Sequence, residues 1–202
     1  KLNTNSPAKD IGKSETKEFL SKNNEFPLPS LYIDGNRIRR SDTKEEVILK
    51  GLTSEAFRGD IPGFSSAKKH IDISKKWGAN IINFYFNPES FLAEEKYLFE
   101  LDKIIEYAYL NKLFISLQPT VSYKNNWPFN VSSPKATLFL ENVEKLVPLL
   151  AKRYIKFSNI LYGIWTEPHS LFDQRLLYRC AISCQQSLPN VVLLIANTLY
   201  SI

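Results

Sequence analysis

A glutamate that directly follows a buried run of residues is the strongest chemical feature of the sequence. Residues 160–165 are all apolar or small, and the chain continues as Thr166, Glu167, Pro168 and His169. A short, uniformly apolar run is typical of a strand that is buried on both faces of a parallel sheet. Proline then stops the hydrogen-bond ladder, because it has no N–H to donate. Glu167 is therefore predicted at the C-terminal end of a parallel strand, where α/β barrels carry their catalytic groups.

The rest of the chain alternates between strand and helix patterns. Strands are predicted at residues 47–52, 80–86, 113–117, 160–165 and 191–196, and helices at about 65–77, 98–108, 133–154 and 171–188. This alternation predicts an α/β fold with a parallel sheet. No glycine-rich phosphate loop follows a predicted strand, so a (β/α)8 TIM barrel fits better than a doubly wound nucleotide-binding sheet. A full barrel has eight strands, and about five β/α units are present, so the barrel is expected to be truncated.

Further predictions concern the ends of the chain and its core. Residues 1–29 are polar and predict a mobile leader, and residues 30–202 would form the N-terminal part of the barrel domain. Asp34 and Gly35 lie between apolar runs and predict a tight β-hairpin at the start of that domain. Trp77 and Trp165 are predicted in the core, and His70 on an exposed helix face. Cys180 and Cys184 are expected to be small core residues on one face of a helix.

Composition narrows the function. The 202 residues are 44% hydrophobic and 23% charged, which is ordinary for a globular domain. The formal net charge is +5, but the lysines are scattered among acids along predicted helices, so no nucleic-acid surface is indicated. No apolar run approaches the ~18–20 residues that a membrane span needs. With two histidines and no CxxC motif, neither a metal site nor a cofactor is predicted, and the oligomeric state stays open.

Taken in order, these features resemble glycoside hydrolase family 5, the cellulases and mannanases of the clan A retaining glycosidases. The resemblance runs from about residue 31 to residue 202. It is carried by Ile33-Asp34-Gly35-Asn36 before Val47-Ile48-Leu49-Lys50-Gly51, by Trp77-Gly78-Ala79-Asn80-Ile81-Ile82, by the 113–117 strand, by Ala151-Lys152-Arg153-Tyr154, and by Glu167-Pro168-His169. It implies a hydrolase of polysaccharides, a carbohydrate substrate and an extracellular location.

The resemblance also implies roles for individual residues. Glu167 matches the acid/base glutamate, and the nucleophile of that family, a glutamate on the seventh strand, would lie beyond residue 202. The family's asparagine before the acid/base is Thr166 here. Its arginine at the end of the second strand falls on Asn83, and its Asp-x-His on the third strand falls on Gln118-Pro119-Thr120, so Asn83 and Gln118 are expected at strand ends facing the site.

Two further residues are candidates from their own chemistry. Trp127, in the loop after the third strand, is either a platform on which a sugar ring stacks or an anchor of that loop. His169 either lines the cleft or begins a helix. The resemblance to glycoside hydrolase family 5 thus implies retaining hydrolysis of a β-linked poly- or oligosaccharide, with the 202 residues alone expected to be inactive because the nucleophile would lie beyond them.

Other classes of function remain open. The residues at Thr166, Asn83 and Thr120 also fit a non-catalytic barrel relative that binds a glycan or a protein. A third possibility is a partial gene product that does not fold stably, because an incomplete barrel leaves apolar strand edges unpaired.

Overall fold

A computed structural model describes residues 28–57, 63–120, 134–165, 174–187 and 193–194. The strands are β1 (Leu31–Asp34), β2 (Arg37–Arg40), β3 (Gly51–Phe57), β4 (Ile81–Phe86), β5 (Phe114–Pro119), β6 (Ile160–Gly163) and β7 (Leu193–Leu194). The helices are α1 (Phe64–Lys76), α2 (Pro88–Ala93), α3 (Lys96–Leu110), α4 (Pro134–Arg153) and α5 (Gln174–Ser187). The predicted leader, apart from residues 28 and 29, lies outside these residues.

The five strands β3 to β7 form one parallel sheet in sequence order. Successive strands are adjacent and helices separate them along the chain, which is the arrangement of consecutive β/α barrel units. The predicted hairpin is confirmed: β1 and β2 pair antiparallel, with Asp34 opposite Arg37. None of the helices in the described part of the chain is long and apolar enough to cross a membrane.

The main hydrophobic core lies between this sheet and its helices. Alternation along β4 buries Ile82, Phe84 and Phe86, each at most 2% exposed, against the helices. The long helix α4 also buries one apolar stripe, which Tyr154 extends just past the helix end: Phe139, Val143, Leu146, Leu150 and Tyr154. Both cysteines are buried free thiols in this core, as predicted.

The opposite face of the sheet carries a second, smaller apolar cluster. Leu31 of the hairpin packs there with Phe114 and Leu161, and Ile81 contacts the cluster. These residues lie at or near the N-terminal ends of their strands. The hairpin therefore covers the N-terminal end of this face, which leaves the polar positions of the face toward the C-terminal ends of the strands.

The first strand of the sheet begins later than predicted, at Gly51 and not at residue 47. The side chain of Asn80 explains the difference. Its Oδ1 accepts from the Lys50 N–H (2.7 Å), and its Nδ2 donates to the Ile48 carbonyl (2.8 Å). Because an amide side chain takes these backbone groups, the ladder with β4 starts only at the next residue, where Gly51 pairs with Ile81.

Two side chains near α1 differ from the prediction. Trp77 follows the last helical residue and is 73% exposed, so its assignment to the core was wrong. His70 is half-buried, and its Nδ1 shares a hydrogen bond of 2.5 Å with the buried Ser54 hydroxyl. Trp165, by contrast, is buried as predicted.

Glu100 of α3 gives the fold a dependence on pH. Its carboxylate bonds Lys103 (2.7 Å) and accepts the Phe64 N–H at the start of α1 (2.6 Å). These contacts, the Lys103 bond first and then the Phe64 N–H, lower the pKa of Glu100 from its ordinary 4.5. A pKa lower in the folded than in the unfolded state stabilises the fold above the unfolded value, and this stabilisation is lost as the pH falls through the folded value.

We therefore expect Glu100→Gln to reduce the loss of stability between pH 7 and about pH 3.5, as measured by urea unfolding at each pH. Glu141→Gln, at an exposed position of α4, is the matched control and should leave the slope unchanged. Identical slopes for the Glu100 variant and the wild type would refute the assignment.

Candidate functional site

The candidate site consists of the C-terminal ends of the parallel strands, on the face that is not covered by the helices. Three predicted site residues are described there: Asn83, Gln118 and Thr120. Glu167, Thr166, His169 and Trp127 lie outside the described residues, so their roles stay predictions.

The register of the sheet brings the described polar residues into two adjacent rows. Asn83 pairs with Ser116, and Ser116 pairs with Leu161 of β6. Two residues further toward the C-terminal end, Tyr85 pairs with Gln118. Because side chains alternate between faces, these residues share the face opposite the helix-covered core.

Asn83 lies in the middle of β4, three residues before its end, and not at a strand end as predicted. Its Oδ1 is buried and accepts no hydrogen bond from any residue in the described ranges. A buried amide oxygen without a donor is costly, so this position calls for a donor from a group outside those ranges. Asn83 thus offers an acceptor that no described residue satisfies, and this acceptor lies deeper than the strand ends.

Of the predicted site residues that the structure describes, Gln118 has the side chain whose orientation is best fixed by its contacts. It is half-buried, and its Nε2 donates to the Ser116 hydroxyl at 2.8 Å. Its amide lies directly over Gly163 of β6: a Cβ on Gly163 would stand 2.1 Å from Gln118 Oε1. The amide is therefore held between a hydroxyl on its own strand and a glycine on the next.

Thr120 follows β5 and is 2% exposed. Its N–H donates to the Phe86 carbonyl (2.8 Å), which ties the end of β5 to the end of β4. The side chain is thus at the rim of the sheet, but its burial favours a structural contribution beside the predicted contact with substrate.

The chain leading to Glu167 is anchored from the helix side. Every residue of β6 is buried, and Trp165 remains buried two residues before the glutamate. Its ring packs on Phe139 of α4, with centroids 4.6 Å apart. Such a contact fixes the backbone as it leaves the sheet, which is the requirement for presenting an acid in a defined position.

Three residues of this region had not been singled out from the sequence as site residues. Tyr85 could have been found from the alternation in Asn83-Phe84-Tyr85-Phe86, which places it on the same face as Asn83. Ser116 and Gly163 had no comparable signal, because their importance depends on which strand lies beside Gln118. Within the described ranges, no cluster of three or more histidine, cysteine, aspartate or glutamate residues could hold a metal ion.

Comparison with known proteins identifies the fold. No protein-family model matches the chain, and no curated protein matches it either. Solved structures do match. The catalytic domain of an endoglucanase from Thermobifida fusca is 15% identical, with a TM-score of 0.64 over 86% of this chain and 56% of that one.

Two further endoglucanase structures match to a similar extent. An endocellulase from Pyrococcus horikoshii, solved with cellotetraose, is 17% identical (TM-score 0.62, 86% of this chain, 59% of that one). The catalytic domain of the major endoglucanase from Xanthomonas campestris is 15% identical (TM-score 0.63, 85% and 59%). The chain therefore has the α/β fold of part of a cellulase-type TIM barrel, and it spans just over half the length of these endoglucanase chains.

Proposed function

We propose that the chain carries the acid/base half of a retaining glycoside hydrolase, of the family 5 type, that acts on a β-linked glucan or a related polysaccharide. The observation that carries the proposal is the position of Glu167. It follows a strand, β6, that is buried throughout and belongs to a sheet with the fold of endoglucanase catalytic domains.

Retaining hydrolysis needs two carboxyl groups about 5–5.5 Å apart. In the first step one carboxylate attacks the anomeric carbon, while the acid, here Glu167, protonates the departing glycosidic oxygen. In the second step the deprotonated Glu167 takes a proton from water, which displaces the enzyme carboxylate and leaves the anomeric configuration unchanged. Under this proposal the attacking carboxylate comes from a residue outside these 202.

The residues at the end of β6 favour the role of Glu167 as the acid of the first step. An apolar environment disfavours the charged form of a carboxyl group and so raises its pKa, which keeps the acid protonated near neutral pH. Ile164 and Trp165, which precede Thr166 and Glu167 in the chain, are both buried, and the proposal requires this apolar environment to extend to the acid. Gln118 and Asn83 would bind sugar hydroxyls on the same face of the sheet, and Trp127 and His169 would extend the cleft.

The test is hydrolysis of a panel of β-1,4-glucan, mannan and xylan by the full-length protein and its Glu167→Gln variant. We expect a loss of roughly 10²–10⁴-fold in kcat/KM, because general acid/base catalysis contributes on that scale. The variant should also lose the alkaline limb of the pH profile, and the product anomer of the wild type should be retained. Glu141→Gln, an exposed helix glutamate, serves as control. Turnover that is indifferent to Glu167→Gln would contradict the proposal.

A non-catalytic glycan-binding protein is the second candidate, and the residues at Thr166, Asn83 and Thr120 favour it. Threonine is shorter than the family's asparagine and donates one hydrogen. Saccharide binding without turnover, unchanged in Glu167→Gln, would decide for this candidate.

A further inference from the structure

We infer that Gly163 is a positioning residue. Together with Ser116, it holds the amide of Gln118 in the orientation in which that amide hydrogen-bonds the hydroxyl groups of a sugar. The inference rests on the proposed function for its ligand, a pyranose with free hydroxyl groups. The contact between Gly163 and Gln118 stands on the geometry alone.

While the Gln118 amide keeps its observed position, there is no room for a side chain at position 163. A Cβ there would lie 2.1 Å from Gln118 Oε1, 2.4 Å from its Cδ and 2.8 Å from its Nε2. The whole amide group therefore lies against the α-carbon of Gly163. Glycine permits this close approach because it has no Cβ.

A hydrogen bond to Ser116 fixes the orientation of the Gln118 amide group. Nε2 donates one of its two hydrogens to the Ser116 hydroxyl, which is 4% exposed. The second hydrogen of Nε2 and the oxygen Oε1 remain, and within the described ranges no residue donates to Oε1. One donor and one acceptor side by side match two neighbouring hydroxyl groups of a sugar ring, one of which donates while the other accepts.

The same geometry predicts how the protein responds when Gly163 is replaced. The obstructing atoms are the end of a flexible side chain and not backbone. The fold can therefore accommodate a methyl group by swinging the amide aside, so Gly163→Ala should displace Gln118 without unfolding the protein. The consequence is a change in ligand recognition with a small change in stability.

The experiment is a double-mutant cycle in the full-length protein, with cellotetraose titrated calorimetrically into wild type, Gly163→Ala, Gln118→Ala and the double variant. We expect each single variant to weaken binding roughly tenfold, the scale of one to two lost hydrogen bonds. The double variant should bind no more weakly than Gln118→Ala, because Gly163 acts only through Gln118. Cys184→Ala, which removes a buried thiol in α5, is the control that lowers stability and leaves the dissociation constant unchanged.

Thermal melting of the same variants tests the contact independently of any ligand. Gly163→Ala should lower Tm slightly, and adding Gln118→Ala should remove that loss. Additive effects on both Tm and the dissociation constant, or wild-type affinity in Gly163→Ala, would overturn the positioning role. If the wild type neither binds cellotetraose nor hydrolyses β-1,4-glucan, mannan or xylan, the proposed function and the sugar ligand of Gln118 both fail, and the melting cycle alone decides whether Gly163 positions that amide.

Discussion

Replacing Gly51 by alanine is expected to force β3 away from β4 at the first pair of their register and so to destabilise the sheet strongly. A Cβ at this position would lie 2.0 Å from the carbonyl oxygen of Ile81 and 2.8 Å from its carbonyl carbon. These are backbone atoms of the neighbouring strand, paired with Gly51 in the register, and they cannot move without separating β3 from β4. We expect a loss of about 3 kcal/mol or more, a large fraction of the 5–15 kcal/mol that stabilises a typical domain.

Urea unfolding followed by circular dichroism measures this loss, with Gly163→Ala as the matched control. Both variants add one methyl group to a glycine that is closely approached, but the obstructing atoms at Gly163 belong to a flexible side chain. The control should therefore lose far less stability than Gly51→Ala. Equal free energies of unfolding for the two variants would show that β3 can shift, contrary to the register described here.

The contrast between these two glycines shows what the sequence alone can predict. Elements with a strong local period were predicted well: α3 buries Leu101, Ile104 and Ala108 at helical spacing, and β4 buries every second residue. Their patterns are set by neighbours in the chain, so they are visible without a structure. The roles of Gly51 and Gly163 depend on residues 30 and 45 positions away and are not visible.

The same reason accounts for the errors. The start of β3 is set by Asn80, which bonds Lys50 from 30 residues further along the chain. Trp77 is a large hydrophobic residue of the kind usually found in cores, but it lies just past the end of α1 and is exposed. At the candidate site, the position of Glu167 after a buried strand is a local pattern in the sequence. The contacts of the Gln118 amide with Ser116 and Gly163 are not, because they depend on which strands are adjacent.

The second large effect is expected at Asp102, which joins α3 to the end of α4. The Arg153 guanidinium donates to both carboxylate oxygens, at 2.7 and 2.5 Å, and the Tyr154 hydroxyl donates to Oδ1 at 2.9 Å. Tyr154 is only 3% exposed, and burial raises the pKa of its hydroxyl, so the phenol remains a donor that needs an acceptor. Removing the carboxylate leaves this buried hydroxyl unsatisfied, which costs about 1–3 kcal/mol beyond the ion pair itself.

We expect Asp102→Ala to lower the free energy of unfolding by about 2–3 kcal/mol, measured by urea unfolding. The matched control is Asp42→Ala. It removes a second bidentate Arg–Asp pair, which Asp42 forms with Arg40 at an exposed position. Exposed pairs contribute about 0–1 kcal/mol, so the control should change little. Adding Tyr154→Phe to Asp102→Ala separates the two contributions, because it removes the orphaned hydroxyl.

Recovery of about 1 kcal/mol or more in that double variant, relative to Asp102→Ala, would assign the loss to the buried phenol. No recovery would assign the loss to the Arg153 pair. The consequence reaches the site, because α4 ends at Arg153 and β6 begins at Ile160, six residues before Thr166 and seven before Glu167. If the proposed function holds, a loosened helix end should therefore lower the rate of glycan hydrolysis as well as stability, although Asp102 is remote from the candidate site.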